Sequence, residues 1–275
     1  MTMQLSKIYS LLLLLLFTSG IAFAQNEDRP LVIEKSELPC LNKEFNVVVH
    51  IVKNEGDSLG VESDSIAAVM ARVNDLFDPI CTSFNICETN IIDNYQYDTV
   101  ATYEWDELQV IYHQARKINI FWVGEFEFEN ELCGVADSAG IANLESGGIL
   151  MKKGDCVNEM ALAHELGRYF GVPYTFGVGE DRTEEFVKSS NCATTGDMIC
   201  DTPADPYILE DDPADYVDEA NCRFTNQDRD NEGEWYVPHV GSIMSYYPDV
   251  CKCEFTDGQY RIMAATYLAS NPRMW

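Results

Sequence analysis

The residues that could do chemistry lie within one stretch of the chain, HELGRYFGVPY, from His164 to Tyr174. Residues four apart on a helix share a face, so two histidines at positions 164 and 168 would grip one divalent cation. A glycine at 171 would let the chain leave the helix, and a third histidine at 174 would close a tetrahedral site. Glu165, directly after the first histidine, stands where a base must stand to deprotonate a metal-bound water. Set beside the metal-binding motif H-E-x-x-H-x-x-G-x-x-H, the stretch keeps His164, Glu165 and Gly171, while Arg168 and Tyr174 fall at the other two ligand positions.

A guanidinium does not ligate metal and stays protonated. Held about 4 Å from a dication it would be repelled by roughly 8 kcal/mol at an effective dielectric near 20. Arg168 also follows Glu165 by three residues, close enough on a helix to pair with it and neutralise it. Tyr174 is the milder change, since a phenolate ligates metal once its pKa of about 10 is lowered. No other histidine is near in sequence; His239 is the one candidate C-terminal to this stretch, and a structural loop histidine is the simpler assignment for it. Zinc retention is therefore in doubt.

These side chains need a scaffold, and its elements are legible. Residues 45–52, FNVVVHIV, read as a buried strand, with His50 a core or edge histidine. A helix capped by Asp64 or Ser65 runs to Phe77 with Ile66, Val69, Met70, Val73 and Phe77 on one face. Further strands are expected at 84–92 and 118–126, and a short edge strand at 147–152. An amphipathic stretch at 105–115 places His113 on a partly exposed helix. The helix bearing His164 starts near Asn158 and ends at Gly171, with Pro173 beyond. Residues 177–240 are loop-rich, and a last helix, 257–269, is capped by Thr256.

The wider pattern resembles the pappalysin family of metzincin zinc peptidases, in particular its bacterial cytophagalysin-like branch. Besides the helix, the residues that carry the likeness are Asn191-Cys192, Gly196-Asp197 and Cys200-Asp201-Thr202-Pro203-Ala204-Asp205. They continue with Ser242-Ile243-Met244-Ser245-Tyr246, and with Phe255, Thr256, Gln259, Arg261 and Met263 in order. The resemblance spans roughly residues 45–270 and implies an α+β metzincin-type fold. Its upper lobe (45–171) would hold a twisted mixed sheet with a backing and an active-site helix. Its lower lobe (172–275) would be loop-rich and disulfide-bonded, with a C-terminal helix. It further implies Met244 as a methionine turn beneath the site and Tyr246 as a donor to a developing oxyanion. A packed aromatic beside Tyr247 is the competing assignment for Tyr246.

Composition sets the setting. Residues 1–24 read as a cleavable leader: Lys7, an apolar run at 8–17, then Ala22-Phe23-Ala24. Residues 25–44 read as a short arm or leader, and no other segment is apolar enough to span a bilayer. All ten cysteines, at 40, 81, 87, 133, 156, 192, 200, 222, 251 and 253, follow the leader. Their even number in an exported chain points to disulfides, with Cys192, Cys200, Cys222 and Cys251 among the candidates and connectivity open. The formal charge of −28 argues against nucleic acid and anionic membrane as partners. Asp205, Glu210, Asp211, Asp212, Asp215, Asp218 and Glu219 form an acid run without a base. Such oxygen-rich loops suit calcium, against the simpler reading of a solvated loop.

Three readings follow. The first is a pseudopeptidase that binds peptide or protein in its cleft without cutting it. The second is a working zinc endopeptidase with unusual ligands, in which Glu165 is the base and Tyr246 the oxyanion donor. The third is a surface interaction protein on an inherited fold.

Overall fold

The computed structural model describes residues 37–127, 133–137, 147–177, 182–209 and 211–270. The leader at 1–24, the arm up to residue 36 and Glu210 lie outside the described residues. Strand β1 (Lys43–Val52) is the axis of the fold. Its β-branched run stands between two parallel neighbours, β2 (Thr82–Ile92) and β4 (Ile118–Val123). Strand β7 (Ile149–Lys152) adds in parallel to β4, and β6 (Gly134–Ala136) pairs antiparallel to β7, giving the order β2-β1-β4-β7-β6. The expected edge strand at 147–152 is therefore internal, and β6 takes the edge. All four β7 residues are buried, as befits a continuous apolar run between two neighbours. Two-residue strands β3 (Thr99–Val100) and β5 (Glu125–Phe126) pair in parallel, and β8 (Val217–Asp218) and β9 (Arg223–Phe224) pair antiparallel.

Strand period two sorts the core into two faces. Phe45, Val47, Val49 and Ile51 meet helix α1 (Ser63–Phe77), helix α3 (Glu159–Tyr169) and helix α4 (Asp257–Ala269) in one cluster. The five apolar α1 residues named from periodicity are the five it buries, although Glu62 rather than Asp64 or Ser65 holds the N-cap. On the opposite face Val52, Phe121, Val123 and Leu150 meet Trp105 and Leu108 of helix α2 (Thr102–Tyr112). His50 belongs to this side: fully buried, it stacks on Phe121 at 4.2 Å. It bonds Asn119 Oδ1 through Nε2 at 3.1 Å, and its Nδ1 accepts from the Asn90 amide at 3.2 Å. It is a core histidine.

Four disulfides join Cys40–Cys81, Cys133–Cys156, Cys192–Cys200 and Cys222–Cys251. Cys87 and Cys253 remain thiols, so an even count did not mean full pairing. Cys87 is the extra residue where the β1–β2 register shifts, since Val47 faces Ile86 and Val48 faces Glu88.

Candidate functional site

Helix α3 carries the site, and its ends are fixed by local chemistry. Asn158 Oδ1 accepts from Ala161 N at 2.8 Å and caps the start. At the far end Gly171 sits at φ +83°, the left-handed conformation glycine adopts without strain. That turn sends the chain back past the helix, and Tyr174 returns to the face of His164 and Arg168. The rings of His164 and Tyr174 stack with centroids 5.6 Å apart. The Arg168 guanidinium carbon lies 4.0 Å from the Tyr174 centroid. Positions 164, 168 and 174 are thus brought together, as three ligand positions around one point would be.

His164 is oriented from below. Its Nδ1–H donates to Ile243 O at 2.7 Å, which directs Nε2 to the opposite side. A metal-ligating histidine is commonly held in this way by a carbonyl behind it. Burial, then the cations Lys252 and Arg168, push its pKa down to about 3, so the ring is neutral at physiological pH. Met244 is fully buried beneath the helix. A Cβ on Gly167 would stand 2.6 Å from its Sδ, so the glycine is what allows the helix to rest on that turn. The backbone carbonyl of Met244 also accepts from Thr175 N at 3.2 Å, tying the helix exit to the same turn.

Arg168 does not pair with Glu165. Its Nη1 donates to Val172 O at 2.8 Å and its plane covers Tyr174. Val172 O belongs to the turn beyond Gly171, so the guanidinium reaches toward the helix C-terminus, where a cation is favoured. Glu165 is itself buried and packs beside Gly134 of β6, where a Cβ would stand 2.7 Å from its Cγ. Tyr246 faces the site: its ring is 5.9 Å from His164, 4.9 Å from Tyr174 and 5.0 Å from Phe176. His239 pairs with Glu254 at 3.2 Å, outside this group.

Two residues of the segment 200–205 prove to be braces. Asp201 accepts from Thr256 Oγ1 at 3.0 Å and Gly258 N at 2.7 Å, fastening the start of α4. Asp205, read above as part of a calcium loop, is buried. It accepts from Thr175 Oγ1 at 2.5 Å, Tyr247 OH at 2.6 Å and Tyr207 N at 3.1 Å. It thereby joins the helix exit to the turn that follows Met244, and burial raises its pKa against these three donors. Three more acids of the run are spent locally. Asp212 accepts from Ala214 N, Asp218 from Ala220 N and Asp211 from Tyr216 OH. Among the described residues no three His, Cys, Asp or Glu side chains converge as a metal group.

A different acidic pair stands out. Glu185 and Asp197 are buried, and among the described residues Glu185 Oε1 and Asp197 Oδ2 make no hydrogen bond. Burial, then the neighbouring carboxylates Asp197 and Asp205, push Glu185 up to about 8. Burial pushes Asp197 up to about 7.

No family model matches the chain, and no curated protein does. Among solved structures it is similar to mature mirolysin of Tannerella forsythia, determined in complex with a cleaved peptide. That match has 14% identity and a TM-score of 0.58, and covers 83% of this chain and 98% of that one. It also overlaps in part with metalloproteinase-II of Bacteroides fragilis, at 14% identity and a TM-score of 0.32, over 50% of this chain and 44% of that one. From its superposition on mirolysin, the chain has a metallopeptidase-like fold.

Proposed function

We propose that this protein is an exported, pappalysin-like pseudopeptidase that binds peptide or protein at the site around His164 without hydrolysing it. The observation that carries the reading is Arg168. It stands at the second ligand position, held by Val172 O and the Tyr174 ring rather than turned to bulk solvent. A catalytic zinc takes three protein ligands and a water. Here His164 offers a neutral imidazole held in a ligand-competent orientation, Tyr174 offers a phenol, and Arg168 offers a fixed positive charge. These residues do not fit zinc.

What the remaining residues support is binding. His164, Tyr174, Phe176 and Tyr246 form an aromatic group in mutual contact. Mirolysin, which shares the fold, holds a cleaved peptide, and this supports a peptide as the ligand class. Export is supported by four disulfides, which persist in oxidising compartments. No described helix is long and apolar enough to cross a membrane. Calcium is the cation that Glu185 Oε1 and Asp197 Oδ2, as hard oxygens, would suit, although these two carboxylates alone do not make a metal group.

The test is the zinc content of the chelator-treated, re-dialysed protein, together with its retention of and action on an unfolded protein such as reduced casein. Binding of casein without cleavage and without zinc is expected. One zinc per chain, with proteolysis abolished by Glu165→Ala, would overturn the reading in favour of an active enzyme. No binding and no cleavage would leave only a surface role.

A further inference from the structure

We propose that Arg168 is a carboxylate anchor: the ligand at this site presents a carboxylate, from a peptide C-terminus or an acidic side chain, to its guanidinium fork. The inference rests on the peptide-binding reading above and names the chemistry that reading would recognise.

Arg168 is fixed in plane and direction by two contacts, the 2.8 Å bond from Nη1 to Val172 O and the 4.0 Å stack on Tyr174. A guanidinium carries five N–H donors, and one bond to a carbonyl uses one of them. The side chain is half-buried, and its other nitrogens are not among the enclosed, unbonded atoms of the described residues. The far edge of the fork therefore opens outward from a rigid base. A planar fork already held in place loses less freedom on meeting a carboxylate, and it matches two carboxylate oxygens with two parallel bonds.

The charge pattern agrees. The chain has 46 acidic residues against 18 basic ones, yet no carboxylate of the described residues lies within ion-pair distance of Arg168. Lys252, the other cation that acts on His164, is already paired with Asp249 at 2.8 Å. Arg168 is thus a half-buried cation beside an aromatic group in a protein with carboxylates to spare. Its stacked position keeps it from Glu165, the one carboxylate its helix places near it. A single carboxylate suits the site better than a polyacid, because the −28 net charge opposes each added negative charge at long range.

The probes are N-acetylphenylalanine, its primary amide, and N-acetylglutamate α-amide, titrated into the 15N-labelled full mature chain. The Arg168 Nε–Hε resonance is assigned by its loss in Arg168→Gln. The two acids are expected to move that resonance and to bind ~10- to 100-fold more tightly than the amide, the range for a hydrogen bond to a charged group. Arg168→Gln should erase the difference between acid and amide, and Arg168→Lys should keep part of it. A shift with N-acetylphenylalanine alone assigns the carboxylate to a chain terminus, and a shift with both acids admits side chains. Acid and amide binding alike to the wild-type chain, or no acid-induced shift at saturation, would overturn the proposal. In either case casein binding would still stand, whereas loss of casein binding as well would remove the peptide-binding reading itself.

Discussion

Restoring both histidines, Arg168→His with Tyr174→His, asks whether the site lacks only its ligands. His164 already meets the requirement: neutral, with Nδ1–H given to Ile243 O and its ring stacked on Tyr174. The helix stands on Met244, and Gly171 makes the turn that returns position 174. Without metal the double variant should be weaker than the parent. It loses a charge-assisted bond to Val172 O, worth about 1.5–3 kcal/mol, and a cation–π contact worth about 0.5–2 kcal/mol. Because Arg168 is half-buried, the lower ends apply, for a loss of ~2–3 kcal/mol. For a chain of this size that lowers Tm by roughly 4–12 °C. Zinc at a hundred times its Kd should then return about 2.7 kcal/mol, most of the loss. The assay is differential scanning fluorimetry of parent and variant with and without zinc, with metal content after gel filtration as the second readout. A variant that keeps its near-UV circular dichroism yet gains no zinc and no Tm would overturn this expectation, because the defect would then lie beyond the two side chains. A parent whose Tm rises equally with zinc would refute it from the other side.

Gly167→Ala should destabilise the protein by ~1–3 kcal/mol in urea unfolding despite alanine's higher helix propensity, because the new Cβ would meet Met244 Sδ at 2.6 Å and Phe255 Cε1 at 3.2 Å. An unchanged midpoint would mean that the turn beneath the helix yields easily. Calcium should raise the Tm of the wild-type chain and leave Glu185→Gln unmoved, since that variant loses one of the two buried, unbonded carboxylate oxygens; equal responses would place any calcium effect elsewhere. Acid should weaken the fold through His50, whose pKa burial lowers, while the Asn119 bond and Glu88 resist and His113 and Lys117 assist. Its contribution is complete above the unfolded value of about 6.5 and is lost as pH falls from there toward the folded value, at up to ~1.4 kcal/mol per pH unit. His50→Gln should flatten the stability curve below about pH 6.5 relative to wild type, and parallel curves would contradict this.

Much of the scaffold could be read from the chain because it rests on local rules. The five buried positions of α1 follow from period 3.6, the start of α4 from Thr256 as its cap, and the end of α3 from Gly171. Strand β1 is announced by its β-branched run, and the site positions by spacing on one helix. Sheet order was not legible, because the pairing of β7 between β4 and β6 depends on contacts that no local pattern encodes. Cysteine pairing was not legible either: whether Cys87 meets a partner is a question of distance, and a register shift on β2 leaves it exposed as a thiol.

Spacing along the chain is enough to put His164, Arg168 and Tyr174 at the three positions of the expected metal motif, with histidine missing at 168 and 174. Only the tertiary structure decided what those residues do instead. Sequence proximity favoured Arg168 reaching Glu165, but the turn at Gly171 brings Val172 O and the Tyr174 ring closer to the guanidinium. Likewise Asp205 reads as one more acid in an acidic loop until folding buries it among Thr175, Tyr207 and Tyr247. The physical reason is the same in both cases. A charged side chain's partner is set by which donors or acceptors the fold leaves within about 3 Å, and chain separation carries no such information once the backbone has turned.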